Sequence, residues 1–281
     1  MHDTAQDTPR IPPSARLDPT RPSVARVYDA SLGGKDNYDI DRRVFEQVMQ
    51  VAPHQGDVSW MNRRFLVRVV RYLTELAGVD QFLDLGSGLP TVQNTHEVAQ
   101  FSISGARVVY VDNDPICNAH GRALLEENEH TRFVEADLTD PASVLGHPVI
   151  RRHLDLTKPV VLMQIGTLHH VSDAEDPAAI MRAYVEALPA GSYVAMTHFW
   201  DPADAAPELS RQAHELMRRL RDAGLGTGFW RTRERIEELL AGLDLLPPGL
   251  VELDDWWPAG PRTREPWPEE HLMLGGVGVK R

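Results

Sequence analysis

The chain is poor in cysteine, with Cys117 alone among 281 residues, which excludes an intramolecular disulfide and any cysteine-built zinc site. Without a His/Cys cluster at ligand spacing, no metal centre is expected. Long hydrophobic runs are also missing. No stretch approaches the roughly 18 uninterrupted apolar residues of a membrane span, and the N-terminal MHDTAQDTPRIPPSARLDPTRP has no apolar segment that would direct secretion. These absences predict a cytoplasmic protein that neither enters nor crosses a membrane. Positive charge is the third scarcity: 29 Lys and Arg stand against 41 Asp and Glu, a formal net charge of -12. The average field of such a surface repels a polyanion, so the expected partner is a small molecule, neutral or cationic, and not nucleic acid.

What is present suits one large core with appended elements. Residues 1–20 are rich in Pro, Asp, Thr and Arg without hydrophobic periodicity and read as a flexible tail. Residues 21–78 read as a helical extension: VARVYDASLGGKDNYDIDRRVFEQVM gives two short helices split by Gly33-Gly34, and WMNRRFLVRVVRYLTEL gives a longer one. Across residues 79–281, QFLDLG, RVVYVD, TRFVEADL, VVLMQIG and SYVAMTHF alternate with helical stretches. Continuous apolar strands in that alternation predict an α/β fold, a doubly wound, mostly parallel sheet with helices on both faces. Helices are expected over 207–223 and 232–241. LVELDDWWP and HLMLGGVGVKR then suggest a closing antiparallel hairpin around a proline-rich loop, residues 258–268.

In such sheets ligands gather at the carboxyl ends of the strands, near free helix N–H groups. The first strand ends in Asp84-Leu85-Gly86-Ser87-Gly88, where glycine permits a sharp turn and close ligand approach. A dinucleotide fingerprint would need a third small residue at the position of Thr91, and Pro90 intervenes, which weakens an NAD reading. An acidic residue two places before the first glycine suits a ligand bearing an ammonium group. Asn94-Thr95-His96-Glu97 has the form of a capping box, so the following helix starts near residue 95 and the loop before it is long. The second strand ends at Asp112, placed to accept two ribose hydroxyls, with Asn113 beside it and Asp114 as a competitor. The third runs into Asp137-Leu138, where a carboxylate can accept from an adenine amino group and a leucine can pack on the ring.

FLDLGSGLPT, VVYVDNDP, EADLTDP and QIGTLHHVSD together resemble the successive motifs of class I S-adenosylmethionine (SAM)-dependent methyltransferases. ARVYDASLGGKDNYDIDR and GLPTVQNTHEVAQ further resemble a narrower S-adenosyl methyltransferase family first defined as a domain of unknown function. The resemblance covers roughly residues 20–281. It implies SAM as cofactor, a seven-stranded sheet of the Rossmann-like methyltransferase type, and no particular substrate. It places Ser87 and Gln164, with the glycines and carboxylates above, among the cofactor-binding residues. The third glycine usual in the methyltransferase loop is Pro90 here.

Methyl transfer from a sulfonium is driven by alignment and exclusion of water, so a base is needed only where the acceptor must lose a proton. His169 and His170, after the fourth strand, are the candidates; neighbours in sequence are not expected to face the site together, and His170 is preferred. Tyr28 and Lys35, flanking the Gly-Gly turn, are expected to close over SAM and bind its carboxylate. A SAM-binding or SAH-binding regulatory protein without turnover is the alternative reading.

Overall fold

A computed structural model describes residues 20–126, 128–225 and 227–281; most of the N-terminal segment read as a tail lies outside them. Three helices come first, α1 (Val24–Ser31), α2 (Asp39–Met49) and α3 (Gln55–Glu75). An α/β alternation follows: β1 (Gln81–Leu85), α4 (Thr95–Ser102), β2 (Arg107–Asp112), α5 (Pro115–Leu124), β3 (Thr131–Glu135), α6 (Pro141–Gly146), α7 (Pro148–His153), β4 (Val161–Ile165), α8 (Pro177–Ala187) and β5 (Tyr193–Phe199). The last third holds α9 (Pro207–Asp222), α10 (Arg233–Glu238), β6 (Asp244–Leu245), β7 (Val251–Glu252) and β8 (Met273–Val279). No helix among the described residues is long and apolar enough to cross a membrane.

The sheet order is β3-β2-β1-β4-β5-β8-β6, with β7 also on β8. β1 to β5 are parallel and β8 runs antiparallel to β5 over seven residue pairs, Tyr193↔Val279 to Phe199↔Met273. The sheet thus has eight strands where the resemblance implies seven, because the far edge of β8 is covered in two short pieces, β6 opposite Gly278 and Val279 and β7 opposite Leu274 and Gly275. β7 and β8 are the two predicted C-terminal strands and do pair antiparallel, although LDD after β7 turns into a 3-10 helix.

Strand alternation distributes the core between two layers. Phe82, Val108, Tyr110, Val161 and Met163 pack with Phe65, Val69 and Leu73 of α3, while Leu83, Leu85, Val109, Val111 and Leu162 pack with Ile180, Met181 and Tyr184 of α8. Burial on both faces is why these strands read as unbroken apolar runs. β8 is glycine-rich where α3 presses on it: a Cβ at Gly275 would lie 2.9 Å from the Phe65 ring. With β1 to β5 parallel, their carboxyl ends form one row, and the loops after them open onto one cavity.

Candidate active site

That cavity has a volume of about 610 Å³. Asp84, Gly86, Ser87, Gly88, Asp112, Asn113, Asp137, Leu138, Tyr28, His169 and His170 all line it. Lys35 and Gln164 do not.

The glycine loop is held from below. Gly86 and Gly88 have φ of +65° and +70°, values that disfavour any residue with a Cβ, and a Cβ on Gly86 would also approach Thr167 Cγ2 to 2.7 Å. Gly86 and Ser87 donate their N–H groups to Val111 O at 2.7 and 3.1 Å, and Gly88 N–H donates to Asp112 Oδ2 at 2.8 Å. The other oxygen of Asp112 accepts from Asp114 N–H at 2.8 Å. Asp114 itself accepts from Ile116 N–H at the start of α5 and from Ser23 Oγ, so the competitor of Asp112 works as a helix cap and ties the N-terminal extension to the second strand end.

Asp84 is buried and accepts from Thr95 Oγ1 at 2.7 Å. Burial raises its pKa to about 6, against the lowering pull of the Thr95 hydrogen bond and of Arg63. Asp112 is likewise raised, by burial above all. Asp137 is exposed and accepts from the N–H and hydroxyl of Thr139 at 2.8 and 2.7 Å. Ser87 Oγ is buried with no hydrogen-bond partner, a polar atom in the wall awaiting one.

α4 starts at Thr95 behind the predicted capping box, with Asn94 N–H donating to Glu97 Oε2 at 2.7 Å. The Asn94 amide also clamps the long loop through Thr91, accepting from its N–H and donating to its carbonyl. Arg63 of α3 donates to Val92 O at 3.0 Å and Gln93 O at 2.9 Å, holding the same loop from the other side.

His169 and His170 both line the cavity, contrary to the expectation that neighbours cannot, because they lie on a 3-10 turn, Leu168–His170, and not on an extended strand. They differ in their surroundings. His170 Nδ1 is 2.6 Å from Thr227 Oγ1, whose hydroxyl lies 3.4 Å from His170 O. When Nδ1–H donates to the threonine, the lone pair of Nε2 is left as acceptor. Burial pushes the His170 imidazole down to about 4. His169 is more deeply buried, its Nδ1 has no partner, and its ring packs on Phe199 at 4.2 Å; burial first, then the neighbouring His170, His198 and Arg231, pushes its pKa well below the ordinary imidazole value.

The turn is anchored by Arg231, which no local pattern in the sequence singles out. Its buried guanidinium donates to Leu168 O at 3.1 Å, to Val171 O at 2.7 Å, to Asp173 Oδ1 at 2.9 and 3.0 Å, and to His198 Nε2 at 2.8 Å. Asn62 was also missed. It accepts from Thr197 Oγ1 at 2.8 Å and donates to the Tyr28 hydroxyl at 3.3 Å. A signal for it existed, since Asn62 interrupts the apolar helical stripe of Val58, Leu66 and Val69, where an amide is costly unless it is bonded.

Gln164 lies one layer too deep for a lining role: on β4 it is fully buried and accepts the hydroxyl proton of Thr167, and it is Thr167 that meets the cavity. Lys35 is exposed in a loop wound around Asp29. The Asp29 carboxylate accepts from Asp36 N–H at 2.9 Å and Asn37 Nδ2 at 2.7 Å, and a Cβ on Gly34 would overlap it. The Gly-Gly pair serves that tight wrap.

Five parallel strands ordered 3-2-1-4-5, an antiparallel strand beside the fifth, and a glycine loop flanked by carboxylates define a class I SAM-dependent methyltransferase. The comparisons specify it further: residues 11–281 match the model of the S-adenosyl methyltransferase family, and the chain belongs to that family. It is 43% identical to a candidate methyltransferase from Thermobifida fusca YX, with 96% of this chain and 98% of that one covered at a TM-score of 0.87. It is 36% identical to a DUF574 family protein from Streptomyces avermitilis, with 95% and 100% covered at a TM-score of 0.88. None of the curated proteins matches the chain. Nothing in the site favours a binding protein without turnover.

Proposed function

We propose that this methyltransferase acts in the cytoplasm on a small molecule, with SAM held by Asp84, Asp112, Asp137 and the Gly86–Gly88 turn. The observation that carries the reading is that three carboxylates from three successive strand ends, and the unpartnered Ser87 hydroxyl, line one cavity. Asp84 receives the ammonium group of the cofactor, Asp112 its ribose hydroxyls, and Asp137 with Leu138 its adenine. Tyr28, held by Asn62 and donating to Ser59 O at 3.3 Å, covers the cofactor from α1, so the extension of residues 21–78 acts as a lid. When bound, SAM supplies a methyl group that leaves with no bonding electrons, the C–S pair returning to sulfur. His170 Nε2 takes the acceptor's proton and passes it to water. A weak base suffices, because the acceptor's proton becomes far more acidic as its atom gains the methyl group. The turn that carries His169 and His170 orients them, and the apolar wall beyond them keeps water out.

Calorimetric titration with SAH and with NAD tests the donor site. SAH is expected to bind and NAD to give no heat; tight NAD binding without SAH binding would end the proposal. Asp112→Ala removes two charge-assisted hydrogen bonds to the ribose and the tie to Gly88, and is expected to weaken SAH about 100-fold, or about 2.7 kcal/mol.

The raised pKa of Asp84, about 6, predicts how that affinity varies with pH. The ligand's ammonium needs the carboxylate ionised, and below pH 6 the free protein carries a proton there that must leave on binding. SAH affinity is therefore expected to be level above pH 6 and to fall, by up to about tenfold per unit, as pH drops below it. Asp84→Asn should bind SAH more weakly and without that slope. An equal slope in the variant would assign the titration to another group.

A further inference from the structure

The proposed donor site uses only one end of the cavity, and the other end is lined differently. Phe45 of α2, Leu216 and Leu220 of α9, and Phe199 and Trp230 all face it. Phe199 and Trp230 stack with centroids 4.3 Å apart and planes 7° from parallel. Leu216 and Trp230 form, with Val48, Ala52, Ala213 and Leu272, an apolar cluster of their own, separate from the two layers of the sheet.

Among the described residues, the charged side chains of the cavity gather at its donor end. Of the acidic and basic side chains that line the cavity, Asp84, Asp112, Asp114 and Asp137 belong to the ends of β1 to β3. Arg63, bonded to the loop carbonyls of Val92 and Gln93, acts on Asp84, and Glu175, bonded to Ser172, is acted on by Asp137, so both charges sit with those carboxylates. An ionic acceptor entering here would give up its hydration without meeting a counter-charge. A neutral one bearing a flat ring meets apolar side chains, the stacked Phe199 and Trp230 among them. His170 Nε2 is the acceptor available for its proton.

We infer that the apolar end takes an uncharged aromatic molecule carrying a hydroxyl, which is the methyl acceptor. This rests on the donor reading above and deepens it, discarding the cationic acceptors that the acidic composition left open. In the reaction a lone pair of the hydroxyl oxygen forms the new O–C bond as the C–S pair returns to sulfur, and the hydroxyl proton passes to His170 Nε2.

The test separates donor from acceptor. Calorimetry first establishes SAH binding; the SAH-saturated protein is then titrated with 2-naphthol, 2-naphthoate and 2-naphthylmethylammonium. The expected result is that naphthol binds and that both charged analogues bind at least tenfold more weakly. Phe45→Glu and Leu220→Glu change half-buried positions of the apolar end; each is expected to weaken naphthol at least tenfold and leave SAH affinity, which also reports intact folding, within twofold. With SAH binding intact, absence of naphthol binding, equal or tighter binding of a charged analogue, or variants that bind naphthol as wild type does, would each overturn the inference. Absence of SAH binding would instead overturn the donor reading, and this one with it.

Discussion

His170→Gln is expected to lower kcat by two to four orders of magnitude, the usual contribution of a positioned base, while SAH affinity stays within about threefold. Glutamine keeps a polar group of similar reach beside Thr227 but cannot accept a proton. The measurement is single-turnover methyl transfer from labelled SAM to an acceptor that the wild-type enzyme methylates, paired with SAH calorimetry. Since burial pushes the His170 imidazole down to about 4, the basic form is already complete at neutral pH and is lost only as pH falls toward 4. The wild-type kcat is accordingly expected to show no acid limb between about pH 6 and 8. Unchanged turnover in the variant with unchanged SAH affinity would remove His170 from the chemistry and leave alignment alone as the source of rate.

Arg231→Met is expected to destabilise the fold by about 3 kcal/mol, near the lower end for breaking a buried charge network. The figure sits low because Asp173, its ionic partner, is 67% exposed and returns to water when the arginine is gone. The loss falls on Leu168 O and Val171 O, left without donors, and on His198, whose Nε2 loses the Arg231 bond. For a domain of this size the thermal midpoint should drop by about 6–12 °C, as thermal denaturation can measure. Asp173→Ala is the contrasting variant, expected to change stability by less than about 1 kcal/mol since it breaks a largely solvated pair. Equal effects of the two substitutions would mean that the ion pair, and not the carbonyl bonds, holds the turn.

The row of strand-end residues that lines the cavity was legible because each part is local. Asp84 to Gly88, Asp112 with Asn113, and Asp137 with Leu138 each follow directly on a strand, and parallel neighbours with short connections bring such ends together without further instruction. The same logic put forward Gln164, which shares its motif with the cavity residues but lies fully buried on β4, bonded to Thr167, and does not line the cavity. Lys35 was misjudged for a related reason: a polar stretch around two glycines looks the same whether it closes on a ligand or, as here, wraps an internal carboxylate.

The sequence by itself determined the doubly wound sheet and its row of acidic strand ends, because period, turn residues and strand-end position are encoded within a few residues of one another. Only the tertiary structure decided what faces that row. The apolar end is assembled from Phe45, Phe199, Leu216 and Trp230, and the histidine turn is fixed by Thr227 and Arg231, partners 57 to 63 residues further along the chain. Amphipathic patterning says that a helix buries one face but not against what, so contacts of that separation exist only once the helices have packed.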